Sequence, residues 1–230
     1  MIRRVAAVAI AAGGILYAAW FLQWIVPTNL DAVTSYISEL SASDQPHHLV
    51  FRSADLVAGI LLIVGSIAAL ATTTRSRWAI AGWVSLTFFG MSTISDSQSP
   101  MRCAETANAT CARLGRLDEL GFRDDLHTFT SAGEDLFFGL TMVCLMVVAW
   151  RIGAPSRLRH VATIVAGLIV IAWAWTTASA ARFEIDHIND VLGLAQRTEV
   201  TLIGLWLVLV SVALLRPEAD RPPVVIDSIK

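Results

Sequence analysis

Six runs of apolar residues, at about 5–26, 53–73, 78–94, 128–150, 161–180 and 198–215, are separated by segments that hold nearly all of the charge. Each run approaches the ~20 residues that cross a bilayer as helix. The pattern predicts an all-α fold: an integral membrane bundle of six transmembrane helices, forming a single domain over 1–215, with 216–230 as a flexible cytoplasmic tail. Pro217, Pro222 and Pro223 stop a helix in that tail and leave it little to bury. Arg3 and Arg4 ahead of the first run also suit a secretory signal. The run is about twenty-two residues, however, longer than the ~7–15 of a signal core, and no small-residue cleavage site follows it.

Charge then sets an orientation. Ten basic residues, among them Arg3, Arg4, Arg75, Arg77, Arg151, Arg157 and Arg159, fall in alternate short segments that sum to +7. The other segments carry sixteen of the nineteen acids, four of the five histidines and a net −9. Basic residues near a span stay cytoplasmic, so both termini are expected in the cytoplasm and the acidic face outside. No basic stripe suited to nucleic acid exists. The partners expected are the lipid bilayer and a lipid substrate, and the expected location is a bacterial plasma membrane with an extracytoplasmic functional face.

The outer links, about 27–52, 95–127 and 181–197, are long, as functional loops tend to be. The second holds Cys103 and Cys111, eight residues apart. On an oxidising face they read as a disulfide worth about 2–3 kcal/mol by loop entropy. The other reading is a two-thiolate metal site completed by His127, although no zinc-knuckle spacing is present. Cys144 reads as a small buried apolar residue.

The chemistry gathers where helices emerge on the outer side. His127, Ser131, Glu134 and Asp135 share one helical face by spacing, and His48, Arg52 and Asp55 share another. Asp96 ends the third run, flanked by serines. Asp186, His187 and Asp190 precede the sixth, which begins with Gln196, Arg197 and Glu199. Ionisable groups in a span usually face a polar interior and mark function. One shared outward-facing pocket is therefore expected.

In the hydrolytic reading, His127, His187 and Asp190 bind a divalent metal such as zinc or relay protons. Asp135 or Glu134 acts as base, Ser131 orients water and Arg197 steadies a headgroup phosphate or oxyanion. The same charges also read as ion pairs that hold helices together, Arg52 with Asp55 and Arg197 with Glu134 or Asp135. No H-E-x-x-H, G-x-S-x-G or glycine-rich phosphate loop is present.

The stretches SDSQSPMRCAETANATC, DDLHTFTSAGE and GLAQRTEVTLIGLW resemble the bacterial membrane family known as domain of unknown function 998 (DUF998), in particular its actinobacterial members, over nearly the whole chain. The resemblance implies a multi-helix membrane protein, supplies no reaction, and puts weight on Gly193, Gln196 and Arg197. A chemical similarity to the alkaline ceramidase and adiponectin-receptor superfamily of membrane zinc hydrolases lies in Ser, Asp and His at one membrane face. The present chain shows six runs where that superfamily has seven spans, and it lacks the His-x-x-x-His pair.

The expected function is a membrane-embedded hydrolase of a lipid or lipid-linked substrate. The alternatives are a non-catalytic envelope partner or sensor, and a proton-coupled small-molecule transporter. The almost wholly apolar inner halves of the runs weigh against the transporter.

Overall fold

The computed structural model describes residues 1–72, 76–117, 119–151, 156–186, 188 and 190–215. Among them the chain is all helix, with no strand: α1 (Ile2–Tyr17), α2 (His48–Leu70), α3 (Arg77–Gln98), α4 (Ala109–Arg116), α5 (Phe122–Arg151), α6 (Ser156–Asp186) and α7 (Leu192–Leu215). Short 3-10 turns occupy Ala19–Trp24 and Ser38–Ser41.

Five helices, α2, α3, α5, α6 and α7, are long and apolar enough to cross a membrane. The continuous first span predicted for 5–26 is not one helix. It breaks after Tyr17, leaving 16 residues, or about 24 Å at 1.5 Å per residue. Tertiary contacts account for the break. The 3-10 turn that follows sends Trp20 Nε1 to Thr201 Oγ1 at 2.9 Å and Gln23 Oε1 to the Arg197 guanidinium, contacts that a straight helix would carry out of reach.

The helices pack in chain order, α1 beside α2, α2 beside α3 and α3 beside α5, with α7 against both α1 and α6. Small residues permit the closest crossings. A Cβ on Gly59 of α2 would stand 2.6 Å from the Gly90 carbonyl oxygen of α3, and one on Gly204 of α7 would stand 2.6 Å from that of Gly14 in α1. In lipid such backbone approach replaces the hydrophobic drive that packs soluble helices. Helix α6 meets α5 through Trp173, whose ring lies against Gly139 and edge-on to Phe138 at 6.2 Å.

Ile10, Leu62, Leu86, Phe89, Phe138 and Trp206 form the buried centre. Three of its aromatics and Tyr17, which packs against them, make a plate: Tyr17 to Phe89 at 5.0 Å, Phe89 to Phe138 at 5.5 Å and Phe138 to Trp206 at 5.6 Å. Edge-on and tilted rings of this kind interlock without voids.

Two helices run past their apolar stretches at the end of the bundle that holds the disulfide. α5 starts six residues before its predicted run, after Gly121 at φ +90, and α6 continues to Asp186. Ser76 caps α3 by accepting the Ala79 amide at 3.1 Å, and Asn108 caps α4 by accepting those of Thr110 and Cys111. Cys103 and Cys111 form the disulfide, with Cα atoms 6.0 Å apart.

Candidate functional site: an acid-lined cavity

A cavity of about 160 Å³ lies above the aromatic plate. Every long helix contributes a polar group to its wall: Tyr17 from α1, Asp55 from α2, Asp96 from α3, Ser131, Glu134 and Asp135 from α5, Thr176 from α6, and Gln196 and Glu199 from α7. Six of these were expected from the sequence. Tyr17, Thr176 and Glu199 were not assigned to the pocket. Glu199 had a signal, being an acid inside the last apolar run. Tyr17 and Thr176 had none, because either residue is ordinary in a span.

Asp96 is the hub of one wall. Its Oδ1 lies 2.9 Å from His127 Nδ1 and accepts the hydroxyls of Thr130 at 2.6 Å and Ser131 at 3.1 Å. The stripe spacing on α5 explains the convergence, since positions three and four apart lie on one face. Ser131 thus faces a carboxylate and not the imidazole. On the neighbouring turn, Tyr17 donates its hydroxyl to Glu134 Oε2 at 3.0 Å.

The arginines turn away from the acids. Arg52 Nε donates to the Ser97 carbonyl at 3.0 Å and forms no ion pair with Asp55. Arg197, 3% exposed, donates Nη1 to the carbonyls of Ser35 at 2.8 Å and Gly193 at 3.1 Å, and Nε and Nη2 to Gln23 Oε1 at 3.2 and 2.8 Å. The pairing expected of Arg197 with Glu134 or Asp135 is therefore replaced by four bonds to loop and helix ends. The guanidinium has five N–H donors, enough to serve these three acceptors at once.

These bonds pin a roof. Ile37, Ser38, Leu40 and Ser41, from the loop that precedes α2, line the cavity as that roof. The Ile37 amide donates to Gln196 Oε1 at 2.7 Å, and the Leu194 amide to the Val33 carbonyl at 3.0 Å. Leu30, Leu40, Phe51 and Ala104 give the roof an apolar cluster of its own. The disulfide loop braces it: Glu39, 0% exposed, accepts the Thr106 amide at 2.7 Å and the Thr106 hydroxyl. Burial pushes the Glu39 carboxyl above its usual range. Burial also raises that of Glu105 to about 7, helped by the negative charge of Glu184, Glu39 and Asp124.

Several residues expected in the pocket lie outside its lining. His48 Nδ1 lies 2.9 Å from the Gln45 carbonyl, where it serves the turn before α2. Asp186 is exposed at the end of α6. Asp190 pairs with Arg182 Nη1 at 3.2 Å, both side chains about half exposed. His187 lies outside the described residues. Of the expected metal ligands, then, His127 is committed to Asp96 and Asp190 to Arg182. Among the described residues no three His, Cys, Asp or Glu side chains converge as a metal-binding group.

The family model described as protein of unknown function DUF998 matches residues 10–213. The chain belongs to this family. No curated protein and no solved structure matches it. The match runs from α1 to the end of α7, so the whole helical bundle with its cavity and roof is the DUF998 unit.

Proposed function

We propose that this DUF998 protein is a membrane-embedded hydrolase of a lipid or lipid-linked ester or amide, with the acid-lined cavity as its active site. One observation carries the reading: Glu134 and Asp135 of α5, Asp96 of α3 and Glu199 of α7 share a single roofed cavity. Carboxyl groups held together out of bulk water can divide acid and base roles between them. In this scheme Asp135 takes a proton from water as the oxygen adds to the substrate carbonyl. Glu134, oriented by the Tyr17 hydroxyl, returns a proton to the departing alcohol or amine. The Asp96–His127 pair holds Ser131 where it can orient that water.

We place the cavity on the extracytoplasmic face of a bacterial plasma membrane, with both termini cytoplasmic and α1 plus its 3-10 turn as the sixth crossing. Residues 1–215 form one domain in this reading. The basic inner ends support the orientation. Arg159 lies 4.3 Å from the Trp150 ring centre, and Arg77 and Arg151 lie 5.6 and 5.9 Å from that of Trp78. Such aromatic and basic pairs suit the cytoplasmic headgroup level. The apolar plate beneath the cavity counts against a through-path for a transported solute.

Comparative lipidomics of a deletion strain tests the reaction, followed by incubation of the purified chain with the accumulated lipid. Asp135→Asn should remove product release while the protein remains monodisperse. Wild-type rates from both Asp135→Asn and Glu134→Gln would end the hydrolytic reading in favour of a binding role. C-terminal alkaline phosphatase and fluorescent-protein fusions test the orientation, and an active phosphatase fusion would reverse it.

A further inference from the structure

Helices α5 and α6 meet along only part of their length. Helical period puts Thr128, Ala132, Asp135, Gly139, Met146 and Trp150 on one face of α5. From Trp150 to Gly139 that face is covered. Arg159 of α6 lies 4.3 Å from the Trp150 ring centre, and His160 stands edge-on to it at 5.9 Å. Met146 packs into the buried centre, and a Cβ on Gly139 would stand 3.2 Å from the Trp173 ring of α6. Beyond Gly139, toward the disulfide end, the cover stops: Asp135, Ala132 and Thr128 are all exposed.

The matching face of α6 changes at the same level. Ile169 is fully buried and Trp173 half-buried, whereas Thr177, one turn further on, is exposed. Past that point α6 is held by others. It packs against α7, and Phe183 near its end meets Tyr36 of the roof edge-on at 5.6 Å. The two helices thus form a V, closed at Trp173 and open beyond it.

The open part of the V leads into the cavity. Asp135 belongs both to the exposed α5 face and to the cavity lining, and Thr176, next to Thr177, lines the cavity from α6. Toward the disulfide end the way in is covered by the roof residues Ile37 to Ser41. The free approach is from the side.

We propose that the gap between α5 and α6 is a lateral entrance for a bilayer lipid, which seats an acyl chain in the V and brings its polar head to Asp135 and Thr176. This inference rests on the reading of the cavity as the substrate site and makes the substrate a lipid taken from within the membrane. Both walls of the gap belong to helices long and apolar enough to cross a bilayer, so hydrocarbon is the medium at its mouth. Asp135 stands 15 residues from Trp150, about 22 Å along the helix at 1.5 Å per residue and inside the ~30 Å apolar slab. A carboxyl group open to hydrocarbon at that depth is costly. A headgroup drawn into the gap relieves that cost, and bare acyl chains do not.

A nitroxide on Ala132→Cys, in a Cys144→Ala background and in vesicles of phosphatidylethanolamine and phosphatidylglycerol, tests what fills the gap. Collision with oxygen should exceed collision with a water-soluble nickel chelate. Dominance of the chelate would mean a water-filled cleft, and shielding from both would mean a second copy or another protein; either result overturns the entrance. Native mass spectrometry of the full chain released from nanodiscs of the same lipids supplies the second arm. A retained lipid should be weakened about tenfold or more by Ala132→Trp and by Thr128→Trp, and left unchanged by Gly167→Trp, where α6 has nothing within 4 Å. Equal retention in all three monodisperse variants would overturn the proposal. Retention that responds in this way, without hydrolysis of any lipid, would remove the hydrolase and keep the entrance. Hydrolysis at the wild-type rate in both α5 variants would do the reverse.

Discussion

His127 Nδ1 on α5 stands 2.9 Å from Asp96 Oδ1 on α3, and that oxygen also accepts two hydroxyls from α5. Two helices are thus joined through one carboxylate at the cavity wall. Removing the imidazole leaves Asp96 with its hydroxyl donors, so His127→Ala should cost about 2 kcal/mol, in the range of a charge-assisted bond. In a double-mutant cycle with Asp96→Asn, thermal unfolding in detergent should show a coupling of about 1–3 kcal/mol. Additive effects would mean that the pair does not join the helices. Turnover should be lost in both single variants.

Arg197 decides whether the roof stays shut. Three of its four bonds tie α7 to the first loop and to Gln23, and the fourth, to the Gly193 carbonyl, stays within α7. Arg197→Lys keeps the charge but cannot reproduce a planar set of donors. It should destabilise by on the order of 3 kcal/mol and make the segment 27–47 open to protease in folded protein. An unchanged digestion pattern in the lysine variant would show that the roof is held by its apolar cluster alone.

The brace beneath the roof should respond to pH. Burial first, then Glu184, Glu39 and Asp124, bring the Glu105 carboxyl from its usual 4.5 to about 7. A raised acid holds its proton longer in the folded state than in the unfolded one. Stability is therefore greatest below about 4.5, declines as pH rises to about 7, and is level above that. Trypsin cleavage after Arg113 and Arg116 in α4, normalised to an unfolded substrate, should be faster at pH 8 than at pH 6. Glu105→Gln should flatten the difference, and an undiminished pH effect in that variant would assign it to another group.

The α2–α3 crossing has no room for a methyl group. A Cβ on Gly59 would meet the Gly90 carbonyl oxygen at 2.6 Å and Ile94 Cγ1 at 2.7 Å. Gly59→Ala should cost about 1–3 kcal/mol from overpacking, read as a lower unfolding temperature in detergent. Gly167→Ala on α6, where nothing lies within 4 Å, should be neutral. Equal loss from both would point to an effect of helix chemistry and not of packing.

Much of this arrangement is legible in the residues themselves. Apolar runs of bilayer length, the division of charge between alternate links, and the α5 stripe from His127 to Asp135 follow from helical period and the cost of burying charge. So do the membership of Asp55, Asp96 and Gln196 in one cavity and the pairing of Cys103 with Cys111. Partner choice is not encoded in that way, because it depends on which side chains meet after the helices pack. Only the tertiary structure sends Arg197 to the Ser35 carbonyl instead of to an acid, ends α1 at Tyr17, and folds the first loop into a roof around buried Glu39. Periodicity fixes the face on which a residue lies. Distance across helices decides what it touches.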